Sequence, residues 1–379
     1  MTGSLQIKND RYYMVINTTD ETGKRRQKWL ATGLKIKGNK KRADKMLRDT
    51  ITAYEIQNGS KNANIRYCDW VEYWLADVKK RVDIITHEGY VAIANAQVVP
   101  YFRNAKISLG NVTRELLQRY IDSKAASGRC DGGALSPGSI RAIRNILNQS
   151  LKAALHAGLI TTNPCEGLRL PKREHRESTF YTSEQITSLF DAICGDPFEP
   201  LVRVAAIYGL RRSELLGLKW GAIDFHENTL TVQHTVVQQT TLVAKDKTKN
   251  AASRRSLPLT REIRELLKKL QIEEIENRRL CGRDYVDTDY VFKWSDGRPY
   301  APHYVSRKFR SLLTQHDLPP IRFHDLRHSC ASLLIGQGFG LKDVQEWLGH
   351  ADITLTANTY AHLDMKRKRS IADSLAGLC

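Results

Sequence analysis

The sequence predicts a mainly α-helical protein with small antiparallel β-sheets, an α+β chain in three consecutive parts. Three observations predict it. Short apolar runs separated by turn residues occupy the N-terminus, helical spacing without a convincing strand fills residues 65 to about 160, and the C-terminal part sets a hairpin pattern among helical ones.

In the first part, residues 1–60, Leu5 and Ile7, then Tyr13, Val15 and Ile16, then Trp29 and Leu30 form the apolar runs. Asn9-Asp10 and the turn Asp20-Glu21-Thr22-Gly23 separate them, which reads as a sheet of two or three strands. From Lys40 to about Gln57 the spacing becomes helical, with Ala43, Met46, Leu47, Ile51 and Tyr54 on one side. These sixty residues hold thirteen basic and six acidic side chains. Lys24, Arg25, Arg26 and Lys28 stand beside the hairpin, where a basic ribbon suits a DNA major groove; a solvated charged face accounts for the same residues.

Asn58-Gly59-Ser60-Lys61-Asn62 reads as a linker into a helical part spanning residues 65–168. Its last helix begins after Ser136-Pro137, proline being suited to a first helical turn, and runs to about Gly158. Ile140, Ile143, Leu147, Leu151 and Ala154 give the apolar stripe. Arg141, Arg144, Asn148 and Lys152 give a polar, mostly basic stripe that could follow a phosphate backbone or simply face water. The charged run 170–177 leads into the third part, residues 173–379. There, Thr229 to Val243 has strand character, Lys245 to Arg255 is turn material, and Ser256 to Leu259 is a short strand.

Composition narrows the function. The 379 residues suffice for two or three cores, and 59 Lys and Arg against 41 Asp and Glu leave a formal charge of +18, which favours a polyanionic partner. No apolar run approaches the roughly 18 residues of a membrane span, and the first residues lack the apolar stretch of a signal peptide, so neither membrane insertion nor secretion is expected. The seven cysteines are scattered without a CxxC pair, which argues against a disulfide framework or a cysteine zinc site and for reduced thiols in a cytoplasm. Cys330 is expected to pack within a helix.

Four clusters in the third part carry residues suited to phosphate chemistry: Tyr208-Gly209-Leu210-Arg211-Arg212-Ser213-Glu214, Lys245-Asp246-Lys247-Thr248-Lys249, His324-Asp325-Leu326-Arg327-His328, and Leu348-Gly349-His350 followed by Tyr360. Arg211 and Glu214 are three apart on a helix opening after a glycine, so the carboxylate can orient the guanidinium; an ordinary helix ion pair has the same spacing. His324 and Arg327 share that relation and present an imidazole and a fork of donors in one direction. His324 and His328 also have the spacing of a helical zinc pair, but Asp325 replaces the glutamate a metalloprotease helix requires and Arg327 would set a cation against the metal.

In order and spacing these clusters resemble the tyrosine recombinase family, the integrases of phages and conjugative transposons. The strings YGLRRSELLGLKW, DKTKNAASRRSLPL, FHDLRHSCASLL and WLGHADITLTANTYAHL carry the resemblance. The helical part, with Trp70, Trp74, Thr86 and Tyr90, is similar to the family's core-site binding domain, and the N-terminal part to arm-site binding domains built as a three-stranded sheet on a helix. Tyr208 and Ser329 depart from the threonines common at those places, and the ten-residue step from His350 to Tyr360 resembles integrases of Gram-positive phages and transposons.

The resemblance implies a metal-independent DNA strand transferase without a cofactor. Tyr360 would attack the scissile phosphate, Arg211 and Arg327 would hold its non-bridging oxygens, His324 and His350 would add hydrogen bonds, and Lys247 rather than Lys249 would protonate the leaving 5′ oxygen. Implied partners are double-stranded DNA at core-type and arm-type attachment sites, three further copies in a homotetramer on synapsed DNA, and an excisionase or host DNA-bending protein, all at a bacterial nucleoid. Lys366 to Leu378 would form an amphipathic tail that docks on a neighbouring copy or packs on its own. A DNA-binding regulator that does not cut, a metal-dependent hydrolase and a topoisomerase-like enzyme are the rival readings.

Overall fold

The structure is a computed structural model that describes residues 2–19, 25–57, 65–172, 179–238, 242–245 and 254–349. The chain divides into two compact units, Met1–His175 and Arg176–Cys379.

The first unit opens with an antiparallel sheet in the order β1 (Thr2–Lys8), β2 (Arg11–Thr19), β3 (Arg25–Lys35). Asn9 and Asp10, at φ 50° and 58°, make the two-residue turn between β1 and β2. Asparagine and aspartate tolerate that left-handed backbone better than other side chains. Helix α1 (Lys40–Gln57) covers one face, burying Ala43 and Leu47 with Met14 and Ile16. Because side chains alternate along a strand, Tyr13 and Trp29 lie on the other face, with ring centroids 6.3 Å apart. Trp29 is exposed there.

Five helices follow: α2 (Tyr67–Val78), α3 (Ile84–Ile93), α4 (Val99–Asn104), α5 (Arg114–Ser127) and α6 (Pro137–His156). Ser136 caps α6 by accepting the Ser139 N–H at 3.1 Å, and Pro137 occupies the first turn, where a missing N–H costs nothing. The expected apolar stripe of α6 is buried in full. Two polar contacts set the rotation of α6 against α2: Trp70 Nε1 donates to the Ser150 carbonyl at 2.8 Å, and the Tyr67 and Ser150 hydroxyls are 2.9 Å apart.

The second unit runs α7 (Ser183–Ala192), α8 (Glu199–Tyr208), α9 (Arg212–Leu216), β4 (Ile223–Asp224), β5 (Thr229–Val232), β6 (Thr235–Gln238), β7 (Leu242–Lys245), β8 (Arg255–Pro258), α10 (Arg261–Cys281), α11 (Pro302–Gln315), α12 (Asp325–Gly336) and α13 (Leu341–Leu348). Its strands form two antiparallel sheets, β4-β5-β8 and β6-β7. The segment expected to be one stretch of strand character from 229 to 243 is therefore broken. The break falls at Gln233-His234, where the backbone lies so close to Gly217 that a Cβ there would stand 2.4 Å from the His234 carbonyl oxygen. The apolar side chains of α8, Leu201, Val202, Val204 and Ala205, lie at the centre of the core with Leu215, Leu230, Leu257, Phe309 and Leu326. Among the described residues no helix is long and apolar enough to cross a membrane.

Candidate active site

Two glycines let the site close. Helix α8 ends on Gly209 at φ 57°, and α13 ends on Gly349 at φ 66°, both in the left-handed conformation that glycine adopts without penalty. Gly209 has a second reason to lack a side chain: a Cβ there would lie 2.3 Å from Leu348 Cδ2. The end of α13 thus seats directly on the turn that precedes Arg211. Trp347 reinforces the seat, stacking on Tyr208 at 5.9 Å and 18° and donating its indole N–H to the Ile207 carbonyl at 3.4 Å.

Arg211 stands at the N-cap of α9, in extended conformation, and Glu214 turns back onto it. The carboxylate accepts the Arg211 backbone N–H at 3.1 Å and Arg211 Nη1 at 2.5 Å, so one side chain caps the helix and fixes the guanidinium. The Glu214 side chain is 2% exposed and Arg211 is 35% exposed. The pair presents its cation outward and keeps its anion inside.

Arg327 enters from α12. That helix starts where buried Asp325 accepts the Arg322 backbone N–H at 2.8 Å and Arg322 Nη2 at 2.7 Å. Two residues on, Arg327 donates Nη1 to the Gly209 carbonyl and Nη2 to the Leu348 carbonyl, both at 2.7 Å, with Nη1 4.0 Å from Glu214 Oε2. A third arginine belongs to the same cluster. Arg255, at the start of β8, donates Nη2 to Glu214 Oε2 at 3.2 Å and Nε to the Trp347 carbonyl at 2.7 Å. With Arg211 Nη2 3.3 Å from the Gly349 carbonyl, three successive carbonyls at the end of α13 (347, 348 and 349) each receive a different guanidinium. The last carbonyls of a helix have no partner within it and lie at its negative end, so cations are favoured there.

Charge sets the protonation states. Burial raises the Glu214 pKa, but Arg255, Arg211 and Arg327 outweigh it and the net shift is downward, so the carboxylate is ionised. Burial, then the charge of Arg211, pushes Arg327 down to about 9, which leaves the guanidinium charged at neutral pH. Three guanidiniums around one carboxylate leave two positive charges in excess. His324 immediately precedes α12 and is exposed. Desolvation, then the charges of His328, Arg327 and Arg211, lowers it to about 4, so it is a neutral imidazole at pH 7, with one nitrogen to donate and one to accept. The His324 and His328 rings meet edge to face with centroids 5.4 Å apart. Asp325, between them in sequence, is committed to Arg322.

The structure therefore brings together Arg211, Glu214, Arg327 and His324. Lys247, Lys249, His350 and Tyr360, and the tail from Lys366, lie outside the described residues. Sequence reasoning missed Arg255. A signal for it exists: on β8, Arg255 pairs with Val232 as Leu257 pairs with Leu230, so the register sets an arginine on the core face of a strand, where a charge is rarely tolerated unpaired. Cys330 is buried as expected, donating to the Ile207 carbonyl at 3.2 Å, and burial pushes its thiol up to about 12.

The expected DNA-contacting residues are arranged less simply than the sequence suggested. Lys24 and the side chain of Arg25 lie outside the described residues. Arg26 and Lys28 pair with Thr18 and Ile16, on the α1 side of the sheet, and Lys28 Nζ donates to the Tyr54 hydroxyl at 2.6 Å. The open face instead carries Trp29 and Tyr13. On α6, Arg141 and Lys152 are exposed and Arg144 is half-buried. Asn148 departs from the expected stripe: it is 9% exposed and accepts Asn163 Nδ2 at 2.8 Å.

Residues 179–367 match the phage integrase family. The chain belongs to that family, the tyrosine recombinases, which are DNA strand-transferring enzymes. A tyrosine recombinase XerC-like protein of Caldanaerobacter subterraneus subsp. tengcongensis is 27% identical across 98% of both chains. The ICEBs1 integrase of Bacillus subtilis is 25% identical across 86% of both. Among solved structures, the Tn1549 transposon integrase in complex with transposon right end DNA superposes with a TM-score of 0.66 at 20% identity, covering 82% of this chain and 99% of that one. A lambda integrase dimer bound to a core site gives 0.60 at 19% identity over 94% and 93%. At such identities the two structures establish the fold, a mostly helical integrase architecture with small antiparallel sheets.

Proposed function

We propose that this recombinase cuts and rejoins double-stranded DNA at attachment sites through a 3′-phosphotyrosine on Tyr360, integrating and excising a prophage or conjugative transposon. The observation that carries the reading is the pair Arg211 and Arg327, one bonded to a buried carboxylate and the other 4.0 Å from it, beside a neutral imidazole. An attacking phenolate oxygen gives the phosphodiester a second negative charge in the five-coordinate transition state, and the cluster supplies two net positive charges to meet it. Preorganised donors of this kind are each worth about 3 kcal/mol.

In the first step Tyr360 loses its phenolic proton to solvent, its oxygen bonds to phosphorus, and the P–O bond to the 5′ oxygen breaks as that oxygen takes a proton from Lys247. His324 and His350 donate to non-bridging oxygens. In the second step a 5′ hydroxyl of the partner strand attacks the phosphotyrosine and returns its proton to Lys247, the P–O bond to Tyr360 breaks and the phenolate regains a proton from solvent, and the diester is restored without an external energy source. Exchange between two duplexes requires four such centres, which suits a homotetramer; the lambda integrase has been solved as a tetramer bound to a Holliday junction. The α6 cations Arg141, Arg144 and Lys152 serve core-type sites, and Lys24, Arg25, Arg26 and Lys28 serve arm-type sites. An excisionase or DNA-bending protein sets direction. No cofactor is required.

Incubation with a nicked attachment-site duplex in EDTA, followed by a denaturing gel, tests the reading. Wild type is expected to give a DNA–protein adduct and Tyr360→Phe none. An adduct that survives in Tyr360→Phe, or cleavage abolished by the chelator, would overturn it.

A further inference from the structure

We propose that Arg255 is a positioning residue for strand transfer, a third guanidinium that fixes the catalytic cluster without touching the phosphate. The inference rests on the strand-transfer reading above. Its partners define the role. Arg255 holds the second oxygen of Glu214, whose first oxygen holds Arg211, and it holds the carbonyl of Trp347, three residues before His350. Its side chain is 7% exposed, against 35% for Arg211, which remains open to an approaching phosphate.

Location makes the contact more than a local brace. Arg255 opens β8, the strand that follows the segment carrying Lys247. Through β8 it is anchored to β5 by the Arg255–Val232 pairing, and Leu257 and Leu259 bury the strand in the core. One planar group therefore ties together the strand behind the general acid, the carboxylate behind Arg211 and the helix end ahead of His350. A guanidinium suits the task because its fork offers separate N–H groups to two acceptors in a fixed plane; an ammonium is a point charge on a flexible stem. Leaving Arg211 or His350 misplaced by about 1 Å would cost about a hundredfold in rate.

The test compares wild type, Arg255→Gln and Arg255→Lys in the full-length protein, measuring the rate of Tyr360–DNA adduct formation at saturating DNA, the DNA affinity and the thermal unfolding midpoint. Arg255→Gln is expected to lower the maximal rate about a hundredfold with affinity changed less than threefold. Arg255→Lys keeps a buried cation, so it remains folded, and recovers about tenfold. In a Glu214→Gln background, Arg255→Gln should add little further loss, since both act through one carboxylate. A rate within threefold of wild type for either variant would overturn the proposal. So would a loss confined to affinity, which would make Arg255 a phosphate ligand, or a loss that follows the folded fraction in both variants. Absence of any Tyr360-dependent adduct from wild type would remove the strand-transfer reading itself.

Discussion

At the scale of single residues, Glu214 is the hinge of the electrostatics. It is buried, ionised and shared by Arg211 and Arg255, with Arg327 4.0 Å away. Replacing it with glutamine leaves three guanidiniums without a counter-charge, and breaking a buried pair in this way costs about 3 kcal/mol. Denaturant unfolding of Glu214→Gln should show that loss; a stability equal to wild type would contradict the shared-carboxylate description. His324 makes a pH prediction. Its folded pKa, about 4, lies below the ordinary 6.5, so the unfolded chain takes up the proton first and stability falls as pH drops through that window, then levels off. The unfolding midpoint of wild type should fall more between pH 6.5 and 4.5 than that of His324→Gln, and equal slopes would contradict it. The sequence made the Arg211–Glu214 relation legible because both residues sit on one turn of helix. Arg255 was not legible by that route, since its partners Glu214 and Trp347 are 41 and 92 positions away.

At the scale of elements, the junction of α8 and α13 decides whether the cluster can form. Gly209 is both left-handed and in contact with Leu348. Gly209→Ala should therefore destabilise by about 2 kcal/mol or more, combining backbone strain with overpacking. Gly336→Ala, within α12 and facing open space, should be neutral or slightly stabilising. Thermal unfolding of the two variants checks the contrast, and equal midpoints would contradict it. Helix α6 shows how far periodicity reaches. Its apolar stripe and its start at Ser136-Pro137 follow from spacing and capping, but Asn148 is removed from the polar stripe by Asn163, a partner in the next loop that no helical wheel contains. The strand region shows a similar limit. β5 and β6 read as one run because both are rich in β-branched residues, and their break falls where the backbone passes close to Gly217. In β3, alternation sends Lys28 toward Tyr54 and Trp29 to the open face.

At the scale of the whole molecule, the charge of +18 and membership of a family of DNA strand-transferring enzymes point the same way. Binding to a core-site duplex should weaken steeply with salt, each phosphate neutralised adding about 0.9 to the slope of log affinity against log salt. Arg141→Ala and Lys152→Ala should each flatten the slope by about that amount; unchanged slopes would take α6 out of the DNA interface. The succession of sheet-plus-helix, helical and mixed segments was legible from changes of hydrophobic period, and the family from four motifs whose order and spacing are more specific than any one alone. What brings Arg211, Arg327 and the end of α13 together was not, because it consists of backbone carbonyls and glycine contacts between distant segments. Strand transfer by this chain turns on one bond. Protease digestion of the trapped adduct followed by mass spectrometry, with end-labelled DNA, identifies the attached residue and strand end: it should return Tyr360 esterified to a 3′ phosphate, with a free 5′ hydroxyl on the released strand. Attachment through any other residue, or to a 5′ phosphate, would contradict it.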